Sequence, residues 1–306
     1  MQVSSKVLIK FSVAAFAVAS IVGCGSGSAK PFSGSATTNV SNSGSGSNSG
    51  SSSSVPGSGA SSSNSAPSTP TTTSAPAAPP APANADPAGA IVYASLQSQP
   101  GWQTCGGCGN VGGTGQGPDY HMGQGISNPS LSGSAADFYV NGGPAYTGGY
   151  YFIEQPTIPN PVTYLRYDFD LFVPGQYANA PQAIEFECQQ TTNGNTYNFA
   201  WQADYASNTW RVFNFTTKEW EPTGIALQRF APDTWHHISA MFHAAGTQAI
   251  HDSITVDGRT MGANISHQAT ATGTRLELTA GFQVDLDSRS TPYHVYVDNL
   301  KVTATD

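Results

Sequence analysis

Two carboxylates stand two residues apart in Ala183-Ile184-Glu185-Phe186-Glu187-Cys188-Gln189-Gln190. Acidic and amide side chains alternate there with apolar ones. Alternation of period two predicts a strand with Glu185, Glu187 and Gln189 on one face and Ile184, Phe186 and Cys188 on the core face. Same-face neighbours on a strand lie about 6.7 Å apart at Cα. Cleavage of a glycosidic bond with retention needs two carboxyl groups about 5–5.5 Å apart, one as nucleophile and one as acid/base. Glu185 and Glu187 are therefore candidates for paired carboxyl chemistry. The alternative is a polar face that only contacts a ligand or solvent. A second carboxylate from another strand would also serve, with Glu277, Asp285 and Asp168 as candidates. Gln189, Arg166 and Asp168 are candidate polar contacts.

Aromatic side chains are the second chemical resource. The segment Tyr197 to Trp220 holds Trp201, Tyr205, Trp210 and Trp220. A flat ring can cover the apolar face of a pyranose while polar neighbours bond its hydroxyls. Alternation places Tyr197, Phe199, Trp201 and Tyr205 on one face, expected to be core. Trp210 and Trp220 fall at strand or loop ends and are expected in a groove, whereas Trp235 opens a strand and is expected in the core.

The four cysteines are Cys24, Cys105, Cys108 and Cys188. Cys105-Gly106-Gly107-Cys108 can be read as a redox pair, half a zinc site or a small disulfide. A redox pair starts a helix, and none follows here. Zinc needs two more soft ligands, and only Cys188 remains. In an oxidising compartment a Cys105–Cys108 bridge is the default, with Cys188 a buried free thiol. His236 and His237 are adjacent on a strand and point to opposite faces, so they form no chelate. No cofactor is expected. Structural calcium is the one metal considered, with Asp285, Asp287 and Asp298 as candidate ligands, short of the six to eight oxygens such a site takes.

Strands must position all of these groups. Tyr164 to Val173 alternates cleanly, with Leu165, Tyr167, Phe169, Leu171 and Val173 on one face. Arg275 to Asp287 does the same. Further strands are predicted near 182–190, 196–205, 210–215, 234–243, 249–256 and 293–303, with Asp257-Gly258 as a hairpin turn. Many strands with one wet face each predict an all-β, two-sheet antiparallel jelly-roll sandwich.

Three short stretches strengthen this. Thr234-Trp235-His236-His237-Ile238, Ile254-Thr255-Val256-Asp257-Gly258 and Val295-Tyr296-Val297-Asp298-Asn299-Leu300-Lys301-Val302 resemble, in that order, motifs of laminin-G-like domains. Together they are similar to the concanavalin A-like lectin/glucanase superfamily over residues 130–306. The resemblance implies a concave sheet able to form a glycan groove, and it also brings calcium into view. The Glu185 strand resembles the E-x-D-x-x-E strand of laminarinase-type hydrolases, which would make Glu185 the nucleophile. Glu187 stands at the Asp position. Gln189 or Gln190 holds the third, and an amide cannot donate a proton to a leaving oxygen.

The rest of the chain sets the context. Lys6 and Lys10 precede an apolar run from Phe11 to Val22, too short to cross a bilayer and of the length of a signal-peptide core. Ile21-Val22-Gly23-Cys24 resembles the bacterial lipobox, which implies diacylation of Cys24 and an exported protein held at a membrane, expected at the outer membrane or cell surface. The expected organisation is a leader over 1–23, a lipidated Cys24 with a Ser/Gly/Pro-rich disordered tether to 89, and one sandwich over 90–306. As a flexible coil the tether would reach about 45 Å. The chain carries 11 basic and 19 acidic residues; without the leader the balance is 9 to 19, a net of −10. That charge excludes electrostatic attraction to nucleic acid or anionic lipid, so membrane contact is expected through the anchor alone. The expected function is a surface-anchored glycan-binding module whose partner is a polysaccharide. The alternatives are a glycoside hydrolase or polysaccharide lyase using Glu185 and Glu187, and an envelope adhesion or structural protein.

Overall fold

The computed structural model describes residues 85–104, 120–156, 163–192, 194–271 and 277–305. Within them the chain forms sixteen strands, two single-turn 3₁₀ segments and no α-helix. The strands are β1 (Ile91–Tyr93), β2 (Gln103–Thr104), β3 (Tyr120–Ile126), β4 (Ala135–Val140), β5 (Gly148–Pro156), β6 (Tyr164–Phe172), β7 (Pro181–Thr192) and β8 (Asn195–Asp204). They continue as β9 (Thr209–Asn214), β10 (Glu219–Ala226), β11 (Trp235–Ala245), β12 (Gln248–Val256), β13 (Arg259–Gln268), β14 (Thr270–Ala271), β15 (Glu277–Leu286) and β16 (Tyr293–Thr305).

They pair into two antiparallel sheets. Sheet A runs β13-β12-β11-β6-β16-β4-β3, with β1 on β16. Sheet B runs β10-β9-β8-β7-β15-β5-β2, with β14 on β8. The chain passes between sheets from β4 through to β7, lays β7 to β10 as a meander in B and β11 to β13 as a meander in A, then closes with β15 in B and β16 in A. This is a jelly-roll sandwich. Asp257 and Gly258 turn β12 into β13 with φ of 49° and 81°, the positive pair that a two-residue hairpin loop requires.

The core lies between the sheets and is rich in rings. Phe169 of sheet A meets Phe186 of sheet B edge-on at 5.0 Å, Phe138 meets Phe282 at 4.5 Å, and Phe242 meets Phe199 at 5.1 Å. Such pairs add about 0.5–1.5 kcal/mol each beyond the burial of their area. The strand parity expected around Glu185 is present: Ile184, Phe186 and Cys188 are buried in this core, and Cys188 is a free cysteine.

The strands around 164–173 and 277–286 match the periodicity closely. β3, β4, β5 and β10 were not anticipated. Gly148-Gly149-Tyr150-Tyr151-Phe152-Ile153 is apolar on both faces and shows no alternation, as a strand covered on both sides must be. β13 was missed because it is an edge strand whose side chains are mostly exposed or half-buried.

Candidate functional site

The outer face of sheet B gathers a set of groups that the linear sequence leaves scattered. The antiparallel register aligns Tyr150, Gln283, Glu185, Gln202 and Arg211 in one row across β5, β15, β7, β8 and β9. The next row holds Phe152, Gly281, Glu187 and Ala200. Ala200 packs with Phe213 and Phe215, and Trp220 rests on them. Carboxyl and amide groups thus occupy the middle of the face, with Tyr150 and Phe152 on one flank and Phe213 and Trp220 on the other.

Close packing holds this centre together. The Tyr150 hydroxyl donates to Glu187 Oε1 across β15, and the Tyr150 and Phe152 rings stack at 5.7 Å and 19°. Gly281 makes this crossing possible. A Cβ there would lie 2.6 Å from the Tyr150 hydroxyl and 2.9 Å from Glu187 Cγ. Gln202 Nε2 donates to Glu185 Oε1 at 2.6 Å, and Gln283 Nε2 to Asp285 Oδ1 at 2.8 Å. Glu185 and Asp285 are themselves hydrogen-bonded carboxyl to carboxyl. Gln283 Oε1 is buried and has no hydrogen-bond partner among the described residues.

Among the described residues no cation lies against Glu185, Glu187 or Asp285, and burial decides their protonation. It pushes Glu187 up to about 7, with the Tyr150 hydroxyl pulling the other way. It raises Glu185 well above the carboxylate range, helped by the neighbouring Asp285 charge. Asp285 rises to about 6, also by burial. A carboxyl held protonated near neutrality is a hydrogen-bond donor as well as an acceptor.

Several expectations change. Glu185 was expected on an open face, yet it is only 4% exposed. The space among Tyr150, Glu185, Phe186, Glu187, Ala200 and Gln283 admits no water-sized body (≈ 0 Å³). Glu187 is half-buried and is the carboxyl nearer solvent. Glu277 shares the sheet and the face but pairs with Thr191, six residues along β15 from the partner of Glu185, or about 20 Å away. It is no partner for Glu185; Asp285 is. Trp210, expected in the groove, is 1% exposed. Val212 and Trp210 share the inner parity of β9, and the indole packs edge-on against Trp201 at 6.1 Å. Trp220 is half-buried on the outer face, 5.1 Å from Phe213. Gln189 lies one step beyond Glu187 and donates to Asn198 Oδ1.

Arg166 and Asp168 belong to sheet A. Arg166 Nε binds Asp168 Oδ2 at 2.8 Å, and both sit on the outer face of β6, on the opposite side of the sandwich from Glu185. They are structural partners there and contribute nothing to the sheet B site. Trp235 is buried as expected, but on the outer face of sheet A against Phe172. Cys24, Cys105 and Cys108 lie outside the described residues.

The three aspartates considered for calcium are far apart in role. Asp285 is in the carboxyl pair. Asp287 caps a turn through Arg289 and Thr291. Asp298 is wholly buried and accepts from Gln97 Nε2, Ser130 Oγ, the Leu131, Ser132 and Asn299 amides and Ser132 Oγ, at 2.7–3.0 Å. Burial works to raise it, but these donors outweigh that and hold its pKa below the usual value. A shell made of donors repels a cation, so Asp298 is a hub that pins the β3–β4 loop. Among the described residues no group of three or more His, Cys, Asp or Glu side chains is placed to hold a metal ion.

Sequence reasoning missed Tyr150, Phe152, Gln202, Gln283 and Phe213. One signal was present: Asn198, Ala200, Gln202 and Asp204 alternate with Tyr197, Phe199, Trp201 and Ala203, which marks a polar face beside that of Glu185. The cross-strand neighbours were not available from any one segment.

No protein-family model matches the chain, and no curated protein does. Solved structures similar to it include a carbohydrate-binding module from Bacillus subtilis, at 12% identity, TM-score 0.35, covering 66% of this chain and 94% of that one. They include lectin I from Ulex europaeus in complex with the methyl glycoside of α-L-fucose, at 12% identity, TM-score 0.41, covering 71% and 98%. An endo-1,3-β-glucanase from Streptomyces sioyaensis matches at 12% identity, TM-score 0.40, covering 73% and 99%. These are likenesses of overall shape. By its own strand order the chain is an all-β, two-sheet antiparallel jelly roll, the architecture that the concanavalin A-like resemblance implies.

Proposed function

We propose that the protein is a glycan-binding module that receives a polysaccharide along the outer face of sheet B. The observation that carries this is the row Phe152, Gly281, Glu187, Ala200 with Phe213 and Trp220 beside it. Tyr150, Phe152 and Phe213 are buried and brace the face, while the half-buried Trp220 offers a ring to the apolar side of a sugar and the half-buried Glu187 suits its hydroxyls. Gln283 Oε1, buried without a partner, is an acceptor that a ligand hydroxyl would satisfy. The test is retention of the protein on insoluble neutral polysaccharides together with a glycan array. Trp220→Ala and Glu187→Gln should each weaken retention by about tenfold, the effect of losing one stacking ring or one charge-assisted hydrogen bond. Absence of retention on every glycan would refute the proposal.

A glycan-cleaving enzyme is the second reading, favoured by Glu187 at about 7, a value suited to general acid work. Against it, a nucleophile must be ionised, whereas burial keeps Glu185 protonated. The enzyme reading predicts soluble products from a bound polysaccharide, abolished by Glu187→Gln.

We also propose that Cys24 anchors the domain to a membrane facing outward, with the Ser/Gly/Pro-rich stretch as spacer. Cys24→Ser should move the protein from the membrane fraction to the soluble one and abolish labelling with radioactive palmitate. Unchanged partition would remove the anchor.

A further inference from the structure

A second concavity lies on the opposite side of the sandwich and is independent of the sheet B site. It has a volume of ≈ 340 Å³ and is lined by Asn128, Pro129, Phe172, Pro174, Gln176, Tyr177, His294 and Tyr296. Three elements build it. β16 contributes His294 and Tyr296 from its outer face, β6 ends at Phe172 beneath them, and the 3₁₀ turn Gly175–Tyr177 swings Tyr177 over the sheet.

The rings share an orientation. Tyr177 stacks on His294 at 5.4 Å and 29°, and His294 runs nearly parallel to Tyr296 at 6.5 Å and 17°. Tyr139 backs His294 from β4 at 4.4 Å. The His294 ring is fixed by Asp137, whose carboxylate oxygens lie 2.9 and 3.0 Å from Nδ1. The Asp137–His294 pair beside the pocket is thus internally matched. Asn128 and Gln176 stand exposed at the mouth with free choice of donor or acceptor.

Each feature limits the occupant. An anion would meet Asp137 and a chain of strongly negative net charge. A cation would meet ring faces, but the nearby carboxylate is already engaged by His294. A long apolar tail would make no use of the amides of Asn128 and Gln176, which would stay with solvent. A flat-faced, neutral, hydroxyl-bearing ring satisfies the stacked aromatics and the amides together. The volume lies at the small end of ligand pockets, about 300–1,000 Å³. We infer that this pocket is a second, separate binding site for a single neutral sugar ring, such as a pyranose at a chain end or branch. A protein with sites on both faces would bridge two glycan chains.

The test uses the whole protein and a set of free methyl glycosides of glucose, galactose, mannose and N-acetylglucosamine, with tetramethylammonium as the cationic control. Ring-proton NMR of His294, Tyr177 and Tyr296 reads occupancy directly. A saturable shift with at least one methyl glycoside is expected, weakened about tenfold or more in Tyr177→Ala, retained in Tyr177→Phe, and unchanged in Trp220→Ala. Gln176→Ala, at an exposed position, should weaken the same response with the fold intact. The inference is overturned if no glycoside moves these resonances, if only tetramethylammonium does, or if Trp220→Ala removes the response.

Discussion

The outer face of sheet A and the centre of the outer face of sheet B treat their acidic side chains differently. On sheet A nearly every acid has a base beside it: Asp168 with Arg166, Asp170 with His237, Asp252 with His243, Asp137 with His294 and Asp86 with Lys301. On sheet B, Asp204 has Arg211 at 3.2 Å and Glu221 has His267, but the central Glu185, Glu187 and Asp285 are met by amides, a phenol and one another. Pairing is a structural solution, because it leaves nothing for a ligand to satisfy. Burial without a cation keeps an acid protonated at a cost, and such a cost is concentrated where a site is built. The difference marks the centre of sheet B as the place where the proposed function puts its carboxyl chemistry.

The largest effect that would test this contrast is on sheet A. Asp168→Ala leaves Arg166 and Lys301 with Asp86 as their remaining acid, and should cost about 2 kcal/mol in urea unfolding, below the full scale for breaking a buried pair from one side. Glu185→Gln on sheet B should instead cost less than about 1 kcal/mol at neutral pH, because an amide replaces an acid that is already protonated. A loss as large as that of Asp168→Ala would show that Glu185 is ionised and end the contrast.

A pH series sharpens it. Glu187 is raised from 4.5 to about 7. Its contribution is fully present below the unfolded value and is lost as pH rises through about 7. Glu187→Gln should therefore flatten the decline in stability between about pH 5 and pH 8, by about 1–2 kcal/mol after allowance for partial exposure. The interior supplies the opposite sign. His251, wholly buried among Phe199, Trp201, Phe242 and His267, is lowered from 6.5 to about 3 by burial first and the His267 charge second. Its contribution is present above about 6.5 and is lost as pH falls toward 3. His251→Gln should remove part of the acid limb of the stability curve and leave the alkaline limb unchanged. Thermal unfolding of both variants across pH checks the two signs.

Much of the fold was legible because a strand with one wet face writes its parity into the sequence. Leu165, Tyr167, Phe169 and Leu171 against Arg166, Asp168 and Asp170 needed no partner to be read. The site was less legible. Glu185 and Glu187 were visible, as neighbours on one strand. Their true environment was not, since Tyr150, Gln202, Gln283 and Asp285 come from three other strands. Trp210 was misplaced because at a strand end the parity of one residue depends on where pairing begins.

The sequence by itself determined the alternation that makes this chain a β-sandwich, the inward set Ile184, Phe186 and Cys188, and the outward side of the two glutamates. Those are local properties of a pleated backbone with period two. Only the tertiary structure decided that Glu185 is sealed, that Glu277 is too distant, that Arg166 and Asp168 lie on the far sheet, and that His294, Tyr296 and Tyr177 enclose a pocket. Cross-strand register and sheet membership set those outcomes, and both arise from contacts between residues far apart in the chain.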